Sequence, residues 1–206
     1  MMKRLLLALA ILMATVGADL PPALAAPTAP DIKETRSMSD TDSQQAEAAK
    51  PAVEANPADV KSMDAVLAAL YDVISGPAGK KRDWDRFRSL FVPGARLIPA
   101  AKRQDGGIEA RVLDPEGYVS RSAPFLEKNG FFEREISRKV ESFGHIAHVF
   151  STYESRHEAA DKTPFARGIN SIQLLNDGKR WWIVTVYWDS ERPDNPLPSQ
   201  YLPSSK

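Results

Sequence analysis

The chain has 206 residues, with 27 basic side chains, 27 acidic side chains and no cysteine. The balanced charge gives no electrostatic reason to expect nucleic acid or an anionic membrane surface as a partner. Because cysteine is missing from the sequence, thiol catalysis, thiolate zinc sites and iron–sulfur clusters are excluded, and packing alone must stabilise the fold.

Residues 1–26 have the pattern of a secretory signal peptide. The basic start MMKR precedes the apolar run LLLALAILMATVGA, and Ala23-Leu24-Ala25 supplies a cleavage signal of small residues. The run is shorter than the roughly 20 residues that cross a bilayer, which favours cleavage over an uncleaved anchor. The sequence therefore predicts a periplasmic or secreted protein that is not held at a membrane after cleavage.

Residues 27–56 are predicted to be a disordered linker. They contain no aromatic residue and almost no large aliphatic one, so they cannot bury enough apolar surface to offset the entropy of ordering. Residues 57–192 then form one domain of ordinary size. Residues 193–206 form a C-terminal tail that is too rich in proline for a helix or a strand.

The first half of the domain has helical patterns. Asn56 caps a helix whose apolar stripe runs from Val60 to Ile74, and Asp83 caps a shorter helix with Trp84 on its apolar stripe. Residues 95–113 indicate a hairpin around Asp105-Gly106-Gly107. A third helix follows Asp114 and ends at Asn129-Gly130.

From Phe131 onward the hydrophobic period changes to two. Four strands are predicted, at residues 131–142, 145–157, 165–175 and 180–189. Helices first and strands afterwards, without regular alternation, favour an α+β fold with an antiparallel sheet.

This order of elements resembles the nuclear transport factor 2-like superfamily, including its SnoaL-like branch. The segments DWDRFRSLFVPGARL, FSTYESR, PFARGINSIQLLNDGKRWWIV and YWDSE resemble segments of exported bacterial members. The resemblance covers residues 57–192. It implies N-terminal helices packed on a curved antiparallel sheet that forms a cone with an internal pocket. Members include dehydratases, isomerases, cyclases, ligand binders and assembly modules, so the fold does not choose the function.

Strand alternation assigns side chains to two faces of the sheet. Register is taken from two-residue loops at Phe143-Gly144 and Asp177-Gly178. The face predicted to line the pocket carries Arg134, Tyr153, Arg167, Ser171, Trp182 and Trp188. The opposite, outer face carries Glu133, Glu135, Asn170, Trp181, Ile183 and Tyr187.

The candidate ligand-binding residues are the polar and aromatic groups assigned to the pocket. They are Arg134, Tyr153, Arg167 and Ser171 from the sheet, with Trp84, Tyr118 and Tyr71 from the helices. Arginine binds carboxylate or phosphate through a planar fork, which predicts an anionic or carbonyl-bearing small ligand. In the alternative, the same arginines are paired within the fold.

No catalytic, metal or cofactor site is predicted. His145 and His148 lie three residues apart on a strand, so they point to opposite faces and cannot chelate one metal. The pocket face carries no strand carboxylate and no well-placed histidine, so a catalytic base would have to be Asp72, Asp85 or His157 turned inward.

Three functions stay open at this point. The first is an exported small-molecule-binding domain, and the second is a small lyase or isomerase in which Tyr153 assists a base. The third is a structural dimer module. Trp181, Ile183 and Tyr187 form an apolar patch on the outer face, which predicts a homodimer unless the tail covers it.

The signal peptide gives a direct test. When the full chain is expressed in a Gram-negative host, we expect the periplasmic fraction to contain a protein that begins at Ala26. N-terminal sequencing checks this. A full-length chain that begins at Met1 and stays in the cytoplasm would contradict it.

Overall fold

The computed structural model describes residues 53–203, which begin with four helices and a hairpin. The helices are α1 Pro57–Val60, α2 Met63–Ile74, α3 Trp84–Ser89 and α4 Pro115–Asn129. Asn56, Asp83 and Asp114 cap α1, α3 and α4 with their side-chain oxygens, as predicted. The signal peptide and most of the predicted linker lie outside the described residues.

The first predicted helix is divided into α1 and α2. The Ser62 hydroxyl accepts a hydrogen bond from the Ala65 backbone N–H at 3.1 Å and caps α2 afresh. Serine competes for backbone hydrogen bonds in this way, so it favours a helix start over a helix interior. Ahead of α1, Ala55 is already buried in the core.

Six strands form one sheet. They are β1 Phe91–Lys102, β2 Ile108–Ala110, β3 Phe132–Phe143, β4 Ile146–Arg156, β5 Ala166–Asn176 and β6 Trp181–Ser190, in the order β2-β1-β6-β5-β4-β3. The α+β class and the order of elements are confirmed. The sheet is mixed rather than wholly antiparallel, because β1 pairs with β6 in parallel. The β1–β2 hairpin and α4 separate β1 from the β3–β6 meander, so no tight turn forces an antiparallel pairing.

The helices pack on one face of the sheet, which we call the inner face. Leu67 of α2, Phe87 of α3 and Leu126 of α4 are fully buried, as are Val149 and Ile172 of the sheet. No helix within residues 53–203 is long and apolar enough to cross a bilayer.

A β-bulge at Ile136 changes the predicted faces of β3. Glu135 pairs with Tyr153, but the next pair is Ser137 with Thr152, so Ile136 is an extra residue. Before the bulge, Glu133 and Glu135 therefore point to the inner face, and Arg134 points to the outer face, which is the reverse of the prediction.

Strand β5 also presents the opposite side to that predicted. Tyr153 lies opposite Gly168, and Ser151 lies opposite Asn170, so Asn170 faces inward while Arg167 and Ser171 face outward. The connection between β4 and β5 is too long for its sequence to fix the register.

Strand β6 follows the prediction at one end only. Val186 and Trp188 face inward and Tyr187 is exposed, as predicted. A second bulge lies at Val184, where the pairing passes from Gln173–Thr185 to Leu174–Ile183. Trp181 and Ile183 therefore pack towards the core, and Trp182 lies on the outer face, contrary to the prediction.

The proline-rich tail packs against the outer face. The Thr152 hydroxyl donates to the Tyr201 carbonyl oxygen at 2.7 Å, and the Tyr201 and Phe150 ring centroids are 5.0 Å apart. The tail contains one short 3-10 helix, Ser199–Tyr201. A groove of about 350 Å³ lies between the tail and the outer face.

Candidate functional site

A cavity of about 50 Å³ lies between the helices and the inner face of the sheet. Its lining is mostly apolar, with five residues that carry a hydroxyl, carboxyl or amide group: Tyr71, Tyr118, Glu133, Tyr153 and Asn170. One water needs roughly 10–15 Å³ of such space, so the cavity has room for only a few non-hydrogen atoms. A small ligand fits it, whereas a ligand of drug size does not.

Glu133 is the carboxyl group of the cavity. Its Oε2 accepts a hydrogen bond from the Ser155 hydroxyl at 2.8 Å, and the Asn170 side chain lines the same cavity. Burial disfavours the charged form and outweighs the stabilising effect of Ser155 and Asn170 on it, so the pKa of Glu133 is raised to about 7. Near neutral pH, Glu133 therefore exists in both its acid and its base form.

The end of α2 fixes the backbone of Glu133. The Glu133 backbone N–H donates a hydrogen bond to the Ser75 hydroxyl at 3.0 Å. The Ser75 hydroxyl in turn donates to the Tyr71 carbonyl oxygen at 2.7 Å. Ser75 is the C-cap residue of α2. The position of the carboxyl group is thus tied to a helix end rather than to a loop.

Three tyrosine hydroxyls share the cavity with Glu133. Burial raises the pKa of Tyr71, Tyr118 and Tyr153 well above the usual range, and the nearby Glu133 carboxylate raises each of them further. The hydroxyls therefore stay protonated and can act as hydrogen-bond donors. The Tyr153 hydroxyl lies 3.2 Å from the Ser190 hydroxyl.

Gly168 makes room for Tyr153. A β-carbon at residue 168 would lie 2.5 Å from the Tyr153 hydroxyl oxygen and closer still to the Asp189 carbonyl oxygen. The constraint is steric, and a larger side chain would displace the Tyr153 ring from the cavity.

The structure separates the predicted site residues. Tyr118 and Tyr153 line the cavity together with Tyr71. Trp84 lies outside the lining, where its indole N–H donates to Glu127 Oε1 at 3.0 Å and its ring packs edge-on against Phe87.

The other three predicted residues lie on the outer face. Arg134 pairs with Glu154 at 2.5 Å, and Arg167 pairs with Glu191 through contacts of 2.8 and 3.1 Å. The Ser171 hydroxyl is 2.9 Å from His148 Nε2 and borders the groove under the tail. Their inward placement was wrong, and the arginines are paired within the fold. Among the described residues that line the cavity, none is arginine or lysine.

The carboxylate missing from the prediction is Glu133, and the predicted bases are engaged elsewhere. Asp72 pairs with Arg86 at the surface, and Asp85 pairs with Arg88. His157 stacks on Phe165 with ring centroids 4.1 Å apart. No sequence signal marks Glu133 as a cavity residue, because the apolar residues Phe132, Ile136 and Val140 keep the same parity across the bulge. No cluster of His, Asp and Glu within residues 53–203 could hold a metal ion.

No family model and no curated protein matches the chain, but solved structures do. One is a nuclear transport factor 2-like protein of unknown function from Silicibacter pomeroyi DSS-3: 14% identity, 64% of this chain, 94% of that chain, TM-score 0.45. Another is a nuclear transport factor 2-like superfamily protein from Salmonella enterica, with 12% sequence identity over 65% of this chain and 85% of that chain and a TM-score of 0.41. A third is a putative ketosteroid isomerase from Shewanella frigidimarina, with 17% sequence identity over 52% of this chain and 81% of that chain and a TM-score of 0.35. The first two carry the family name that the sequence suggests, and the similarity is one of fold.

The raised pKa of Glu133 makes stability depend on pH. Between its ordinary value of 4.5 and about 7, the folded chain binds this proton more tightly than the unfolded chain does. The Glu133 contribution to the free energy of unfolding is therefore fully favourable at low pH and falls as pH rises through this window. Glu133→Gln removes the titration. We expect its free energy of unfolding to match wild type near pH 4.5 and to exceed it by about 3 kcal/mol at pH 8.

Urea unfolding of both proteins across this pH range measures the difference. Glu141→Gln is the matched control, because the Glu141 side chain is 88% exposed on the same strand, and we expect it to follow wild type. A difference between Glu133→Gln and wild type that stays constant with pH would contradict the assignment.

Proposed function

We propose that the protein is a small lyase or isomerase. Its cavity binds a small neutral molecule with a carbonyl group, and Glu133 transfers a proton from and to that molecule. The observation that carries the proposal is one carboxyl group with a pKa of about 7 in an apolar cavity beside three tyrosine hydroxyls. A general base is most effective when its pKa is near the working pH.

The arrangement suits proton abstraction next to a carbonyl group. The Glu133 carboxylate removes a proton from the carbon beside the carbonyl, and the electron pair moves to the carbonyl oxygen. The Tyr153 hydroxyl donates a hydrogen bond to that oxygen. In isomerisation, Glu133 returns the proton to another carbon. In elimination, the electron pair instead expels a leaving group from the neighbouring carbon.

The chemistry of the lining favours a neutral ligand over an anionic one. A ligand carboxylate would face the Glu133 carboxylate with no arginine or lysine among the described lining residues to offset the repulsion. Of the two ligand classes suggested by the sequence, the carbonyl-bearing class therefore fits the cavity. Its size limits the ligand further, to a molecule of a few non-hydrogen atoms.

Acetone in deuterated buffer tests both parts of the proposal. We expect the protein to accelerate exchange of the methyl hydrogens for deuterium, measured by NMR, with a rate that rises as pH increases through about 7. Glu133→Gln should lower the rate roughly 100-fold, the usual scale for loss of a general base. The exposed-site variant Glu141→Gln should exchange at the wild-type rate.

The outcomes separate binding from catalysis. If acetone shifts the NMR signals of Tyr153 but exchange equals that of Glu133→Gln, the cavity binds ligands without proton transfer. If neither effect is seen, the proposed function is wrong.

We also propose a homodimer through the outer sheet face, where Tyr187 of the predicted patch is exposed and two residues that were not predicted add apolar surface. Trp181 and Ile183 are directed to the core, and the tail covers Phe150. Phe143 and Ile146 pair at the end of the β3–β4 hairpin and are 84% and 60% exposed. Exposed apolar side chains of this size are typical of interfaces.

Sedimentation equilibrium at tens of micromolar tests the dimer. We expect a dimer for wild type and a monomer for the double variant Phe143→Ser, Ile146→Ser, whose fold is checked by circular dichroism. A wild-type protein that is monomeric at this concentration would exclude the dimer.

A further inference from the structure

A buried series of hydrogen bonds leads from the cavity towards the surface. Asn170 Nδ2 donates to the Tyr71 hydroxyl at 3.0 Å, and the Tyr71 and Ser151 hydroxyls are 2.7 Å apart. The Ser151 hydroxyl donates to Glu135 Oε2. We call these four residues, Asn170, Tyr71, Ser151 and Glu135, the Tyr71 network.

The far end of the network is held by an ion pair. Arg138 Nε donates to Glu135 Oε1 at 2.6 Å, and Arg138 Nη1 contacts the exposed Asp64 at 2.6 Å. An ionised carboxylate accepts hydrogen bonds and donates none. The hydrogen between Ser151 and Glu135 must therefore come from Ser151.

This end fixes the direction of every other bond in the network. Ser151 uses its hydrogen on Glu135, so Ser151 accepts the hydrogen of Tyr71. Tyr71 then has no hydrogen left for Asn170 and can only accept from it. The Asn170 amide must consequently turn its NH₂ group towards Tyr71, and the same amide lines the cavity with the Glu133 carboxyl, whose pKa it lowers.

We propose that the Tyr71 network orients the Asn170 amide so that it donates to Glu133, which makes Tyr71, Ser151 and Glu135 positioning residues for the cavity carboxyl group. Such a donor stabilises the base form of Glu133. With the amide reversed, its oxygen would face Glu133, would repel the carboxylate and would accept from the protonated acid. The proposal deepens the proposed function, although its test depends only on the Glu133 carboxyl group.

The groups around Glu133 come from several elements. Tyr71 of α2, Tyr118 of α4, Tyr153 of β4 and Asn170 of β5 line the cavity with it, and the Ser155 hydroxyl bonds it directly. Glu135 lies two residues away on the same face and is paired with Arg138. The tyrosines remain neutral over the titration of Glu133, so the orientation of Asn170 is the variable that the network controls.

The test is the NMR titration of Glu133 in protein labelled with ¹³C at glutamate carboxyl carbons, with Glu133→Gln used to assign the signal. Ser151→Ala leaves the hydrogen of Tyr71 free to be donated to the Asn170 oxygen, so the amide can reverse. We expect the pKa of Glu133 to rise by roughly one pH unit, since a hydrogen bond to a charged group is worth about tenfold in equilibrium or more. Tyr71→Phe should shift it in the same direction.

Thr152→Val is the matched control. Thr152 is the next residue along β4 and is as fully buried as Ser151. Its hydroxyl lies on the outer face, where it donates to the Tyr201 carbonyl oxygen. We expect it to lose stability without moving the titration of Glu133. If Ser151→Ala and Tyr71→Phe also leave the titration unchanged, the network is only structural and the proposal is wrong.

A failure of this proposal is distinguishable from a failure of the proposed function. If the two variants shift the titration of Glu133 as expected but wild type does not accelerate acetone exchange, the positioning role is supported and the proposed proton transfer is wrong. If wild type accelerates acetone exchange but Glu133 titrates in both variants as it does in wild type, the proposed function is supported and the positioning role is wrong.

Discussion

The bulge at Ile136 is the constraint on which the cavity depends. Side chains of a strand alternate strictly, so β3 could not place Val140 inward beyond residue 136 and Glu133 inward before it without one extra residue. With a regular strand, Arg134 would enter the cavity and Glu133 would join the charged outer face. The bulge therefore decides whether the apolar cavity contains a cation or a carboxyl group.

The bulge and the register of β5 together set the charge environment of the sheet. On the outer face Arg134 pairs with Glu154, and Arg167 of β5 pairs with Glu191. Glu133 has only neutral donors, Ser155 and Asn170, and neutral donors do not offset the loss of hydration in full. A proton-binding group near neutral pH is the direct result of burying a carboxyl group without a counter-charge.

The sequence carries much of the fold and little of the site. Asn56, Asp83 and Asp114 act as caps because an N-cap is a local interaction that the sequence displays. The ends of β3 to β6 are each predicted to within one residue, because alternation and turn residues are also local, whereas β1 begins four residues before the predicted hairpin. The register of β5 is set by pairing across the connection at residues 157–165, and the bulges at Ile136 and Val184 are not marked by glycine or proline. Those three nonlocal features decide which side chains meet, so the pocket residues could not be predicted.

Helix α2 links the fold to the site. Its C-cap Ser75 holds the Glu133 backbone, and one turn earlier Tyr71 bonds Ser151 and Asn170 on two neighbouring strands. The contacts that seat α2 on the sheet are thus the contacts that place and orient the polar groups of the cavity. A movement of α2 relative to β3 would shift the carboxyl group and release the Asn170 amide together. The packing of α2 on the sheet, rather than any single lining residue, therefore determines where the Glu133 carboxyl and the Asn170 amide lie in the cavity.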